Sequence, residues 1–141
     1  MGSLSKKKTN EYPFEKTQSV ECTPLSEVPF ISKLIDAVNQ DARCESNVGK
    51  EATHAIVSVY SSAAASLRSH ADDESYLDLV CPISTFSLGS CRDIVLSAKN
   101  RANEWQPRLN VKSQELEDGS LFVMKPGCQT YFLHRINEGD K

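Results

Sequence analysis

The chain has 141 residues, 25% charged and 39% hydrophobic, with a formal net charge of −3. That length suffices for one ordinary domain with its own core, and the composition is neither collagen-like nor that of a disordered chain. The slightly acidic balance excludes charge-driven coating of nucleic acid, and no apolar run reaches the ~18 residues of a membrane helix.

Residues 1–22 read as a flexible basic arm carrying Lys6, Lys7 and Lys8, with a short extended segment near Phe14 to Val20. They lack the apolar stretch of a secretory signal. A single domain is expected over 23–136, followed by a polar tail at 137–141. The first helix is expected from Ser26 as N-cap to about Asp41–Cys44. Ile31, Leu34, Ile35, Val38 and Ala42 fall on one face. A second helix, about Lys50 to Ser69, is predicted from the stripe Ala52, Ala55, Ile56, Val59, Tyr60, Ala63 and Leu67. The short link makes the two an antiparallel hairpin.

An acidic loop, Asp72-Asp73-Glu74, precedes a predicted strand over Tyr76 to Ile83. A third helix is expected from Cys91 to Trp105, ended by Pro107. The last third changes to period two. Leu109 to Ser113, Leu121 to Met124 and Gln129 to Ile136 read as a three-strand antiparallel meander, with its first hairpin closed at Glu117-Asp118-Gly119. The expected fold class is therefore α+β: a two-helix hairpin, then strand, helix and meander, with the helices on one face of a small sheet.

The cysteines, Cys22, Cys44, Cys81, Cys91 and Cys128, are odd in number and widely spaced. His54, His70 and His134 are equally scattered. Neither set offers the paired spacing of a zinc site, and free thiols in a reducing cytoplasm are the simpler expectation. The acidic loop lacks the spaced ligands and central glycine of a calcium loop. The glycines form no phosphate cradle. No metal site and no cofactor is expected. Cys91, at a predicted helix start beside Arg92, is the thiol with the most reactive setting, but no base is positioned for it. Enzymatic activity is not expected.

Charge is unevenly divided. Residues 17–85 carry a net −6 and residues 86–141 a net +1. Helix three and the following hairpin have the order of a recognition helix and wing. They present Arg92, Lys99, Asn100, Arg101, Arg108 and Lys112, side chains that donate to phosphate oxygens and base edges. The preferred expectation is a non-enzymatic module that contacts DNA or RNA through these residues. The alternative is a protein-interaction module, an adaptor, inhibitor or assembly factor, offering Asp72, Asp73 and Glu74 to a basic partner. No membrane partner is expected.

Overall fold

A computed structural model describes residues 2–5, 11–14, 18–21, 23–41, 51–73, 77, 79–100 and 107–139. The chain divides into two compact units, 1–59 and 60–141.

The first unit contains strands β1 (Gly2–Ser5), β2 (Glu11–Phe14), β3 (Gln18–Glu21) and β4 (Thr23–Pro24). Helix α1 (Pro29–Gln40) and strand β5 (His54–Val57) complete it. β1 lies between β4, which it pairs in parallel, and β5, which it pairs antiparallel. β2 and β3 form an antiparallel pair. Helix α1 is capped at Val28, two residues after the expected cap Ser26. A 3₁₀ turn at Leu25–Glu27 takes up Ser26, and Pro29 occupies the first turn, where its missing N–H costs nothing. Leu25 and Ile35 form a small core with Val28, Ile31 and Ala55 packed against it. Asn39 fastens the helix to the chain entering β5: its Oδ1 accepts from the Ala52 N–H at 2.8 Å, and its Nδ2 donates to the Ala52 carbonyl at 3.1 Å.

The second unit contains β6 (Leu67–His70), β7 (Ile83–Phe86), β8 (Arg92–Lys99) and β9 (Pro107–Leu116). It ends with β10 (Leu121–Met124), the single-turn helix α2 (Cys128–Tyr131) and β11 (Phe132–Ile136). Four strands form an antiparallel sheet in the order β6-β11-β8-β9, and β10 pairs with β7 separately. Directly opposed residues share a face of a sheet. Ile136 opposes Ile94, so both look the same way, and with Leu116 they form the core. Tyr60, Leu67 and Phe122 pack onto it, with Phe122 supplied by β10.

The described residues are mostly β, and the expected helix-packed α+β class is overturned. Residues 51–69 hold two strands, β5 and β6, and a turn in which the Ala65 N–H bonds the Ser62 carbonyl, in place of a second helix. The proposed apolar stripe does not share a buried face, since Val59 is 82% exposed. Its β-branched residues favour strand, and Ala63-Ala64 fall in the turn. The third helix is replaced by β8 over its described part; Trp105 lies outside the described residues. Neighbouring residues Ile94 and Val95 point to opposite faces of β8, and both are buried. A strand buried on both faces loses its alternation and imitates a helix segment. The expected first hairpin of the meander does not form either. Gly119 does turn the chain, with φ +73°, but β9 pairs with β8 and β10 with β7. Of the strand expected over Tyr76 to Ile83, Tyr76 and Asp78 lie outside the described residues, Leu79 and Val80 stand in a turn, and Ile83 opens β7.

Candidate metal centre

β6 ends at His70, and the chain continues through Ala71 to Asp72. β11 pairs with β6 so that His134 stands opposite His70. Cross-strand partners share a face, so the two imidazoles meet with ring centroids 4.2 Å apart. The Asp72 carboxylate reaches both: Oδ1 lies 3.6 Å from His70 Nε2 and Oδ2 lies 3.5 Å from His134 Nε2. One ligand atom from each of the three residues lies within 4.8 Å of the other two.

The protonation of the cluster suits a cation. His70 Nδ1 is 2.8 Å from the Arg68 carbonyl oxygen, which can only accept, so Nδ1 carries the proton. Its Nε2 faces Asp72. The His134 side chain is only 7% exposed. Burial, reinforced by neighbouring His70 and opposed by the Asp72 charge, lowers its pKa from 6.5 to about 4. It is therefore neutral at pH 7 and free to ligate. Two imidazoles and a carboxylate, with one side of the cluster open, form the donor set of non-haem iron(II) oxygenases.

The surroundings hold the loop that bears Asp72. Asp73 pairs with Lys99 at 2.9 Å, with the lysine side chain 12% exposed. The Asp72 N–H donates to Gln129 Oε1 at 2.9 Å. Cys128 lies close by, its thiol pKa raised by burial and then by the Asp72 charge.

The expected contact residues are redistributed. Arg92 and Lys99 are on strand β8, not on a helix face. The Arg92 guanidinium donates to the carbonyls of Ser62, Ala63 and Ala65 at 2.7, 3.1 and 2.8 Å, with Asn137 O at 3.4 Å, and lies over the Tyr60 ring. Asn100 follows β8, and Lys112 is exposed on β9. Arg101 and Glu74 lie outside the described residues, and Arg108 is described in its backbone alone. Of the acidic alternative, Asp72 is in the cluster and Asp73 in an ion pair. Cys91 is exposed.

Sequence reasoning missed His70 and His134 because it sought ligands close together. The available signal was His70-Ala71-Asp72: two ligands at i and i+2, a spacing that points both to one side of an extended chain. The third ligand is 64 positions away and carries no local mark.

Fold and cluster together describe a β-rich chain with a His-Asp-His cluster whose three donors could hold one metal ion. The family model described as the 2OG-Fe(II) oxygenase superfamily matches residues 2–141, and the chain belongs to that family. No curated protein matches the chain. The family domain is a β-sandwich jelly roll, in keeping with a mostly β chain. Membership, with the triad, overturns the expectation of a non-enzymatic module, whether for nucleic acid or for a basic protein. Among the described residues, no helix is long and apolar enough to cross a membrane.

Proposed function

We propose that this chain is an iron(II)- and 2-oxoglutarate-dependent oxygenase whose metal is held by His70, Asp72 and His134. The observation that carries the reading is the convergence of these three donors from β6 and β11. His70 ligates through Nε2, because its other nitrogen is committed to the Arg68 carbonyl. His134 presents a neutral ring from a buried position, so a proton does not compete with the metal near neutral pH. Asp72 supplies the negative charge that offsets the cation.

When bound, the metal and 2-oxoglutarate supply the activation of dioxygen for oxidation of a substrate. The protein's task is then to keep one side of the metal dry and the other accessible. His134 closes the buried side, while His70 and Asp72 are each about one-third exposed and leave the other open. The distal carboxylate of 2-oxoglutarate calls for a cation. Strand register places Leu96 opposite His134 and Lys112 opposite Leu96, so Lys112 shares the metal-bearing face. We assign Lys112 to that carboxylate; Arg92 and Lys99 are already engaged with carbonyls and Asp73. A reducing intracellular setting suits both ferrous iron and the thiols Cys91 and Cys128.

Anaerobic titration of the metal-free protein with iron(II), then with 2-oxoglutarate, tests the reading. One equivalent of iron and a visible charge-transfer band on adding the 2-oxo acid are expected. Asp72→Ala should take up no iron, and Lys112→Met should bind iron normally but 2-oxoglutarate weakly. A wild-type protein that takes up no iron overturns the proposal.

A further inference from the structure

The loop Ala71-Asp72-Asp73 lies past the end of β6, where sheet pairing no longer fixes the chain. Something else must orient the Asp72 carboxylate. Gln129 is 5% exposed and lies in α2, 57 residues further along. Its Oε1 accepts the Asp72 N–H at 2.9 Å, and its Nε2 donates to Met124 Sδ at 3.4 Å. An N–H can bond only to the amide oxygen, and the sulfur only to the amide nitrogen, so both ends of this side chain are assigned. The same helix runs directly into β11, which carries His134. One buried amide thus ties the loop bearing one ligand to the segment that delivers another.

We infer that Gln129 is a positioning residue for the metal centre, setting the Asp72 carboxylate relative to His134 by accepting the Asp72 backbone N–H. Groups that orient metal ligands in this way typically change metal affinity 10–100-fold when removed, as the carboxylate then samples orientations that do not ligate. The inference rests on the proposed metal site.

Cobalt(II) is the probe, because its visible bands report ligand geometry and its binding needs no turnover. Gln129→Met keeps the volume and removes the acceptor. Gln129→Glu keeps an acceptor oxygen. The wild-type protein should bind one cobalt. Gln129→Met should bind it about 10–100-fold more weakly with altered bands, while its metal-free Tm stays near wild type. Gln129→Glu should remain close to wild type in both affinity and bands. Should Gln129→Met fail to fold, Gln129→Glu decides: retained binding supports the inference and lost binding overturns it. Wild-type affinity and spectrum in Gln129→Met overturn the inference alone. Equal loss in both variants also overturns it, since the acceptor would then not be what matters. Failure of the wild-type protein to bind cobalt overturns the metal site and this inference with it.

Discussion

His134 shows how one buried side chain can serve a metal and limit stability together. Its folded pKa of about 4 lies below the ordinary 6.5, chiefly through burial. The unfolded chain therefore binds a proton that the folded chain refuses. Stability of the metal-free protein is fully present above pH 6.5 and is lost as pH falls from there toward about 4. Urea denaturation in the presence of a chelator should show this decline, and His134→Gln should flatten it. Gly127 offers a second test at this scale. Its φ is +88°, and an added Cβ would sit 3.6 Å from the Tyr131 ring, an ordinary contact. Only the backbone objects, so Gly127→Ala should cost about 1 kcal/mol in thermal or denaturant unfolding. Glycine carries its conformational meaning locally, as at Gly127. The role of His134 had no such mark, since a histidine's state depends on what surrounds it.

Among the elements, β8 supports the most. Leu133 on β11, paired with Ser97 of β8, is 1% exposed, and Ser97 is fully buried with its hydroxyl bonded to Asn110 Oδ1 at 2.8 Å. Leu133→Ala should cost 2–5 kcal/mol, read as a fall in Tm. Arg92 at the start of β8 donates to the turn at Ser62–Ala65 and reaches toward Asn137, drawing together the approaches to β6 and the exit from β11. A planar guanidinium spreads five donors over a fixed fork, whereas an ammonium's three donors sit on one nitrogen and cannot span the same set of carbonyls. Arg92→Lys should therefore destabilise the fold by about 2 kcal/mol in urea denaturation. The residues of this strand had been assigned to a helix presenting Arg92 and Lys99 to nucleic acid, and both side chains are instead engaged within the protein. Ile94, Val95 and Leu96 are consecutive and all covered or half-covered, so both faces of the strand are packed. Helix α1 was legible, because it buries one stripe and leaves the rest exposed.

Across the second unit, the pairing of β6 with β11 joins segments distant in sequence, and a metal held between them would act as a clip. Binding to the folded state alone stabilises it by about 2.7 kcal/mol at a metal concentration 100 times Kd. Iron(II) or cobalt(II) should accordingly raise Tm in the wild-type protein and leave Asp72→Ala unchanged, as differential scanning calorimetry would record. The charge map must also be reread at this scale. The basic residues that had suggested a nucleic-acid surface include Arg92 and Lys99, which are spent on carbonyls and on Asp73. Asp72, one of the acids assigned to a protein partner, faces two imidazoles.

The amino-acid sequence by itself determined the first helix, the turn at Gly119 and the extended character of the segments at 109–113, 121–124 and 132–136, whereas Gln129–Tyr131, expected as strand, belong to α2. Each depends on interactions within a few residues: helical periodicity, or the freedom of glycine at positive φ. Only the tertiary structure decided that the middle of the chain is strand, that β9 and β10 belong to different sheets, and that His70, Asp72 and His134 share one site. These outcomes depend on which distant segment lies alongside. A strand covered on both faces loses its period, and a metal centre assembled from two strands has no local spacing to betray it.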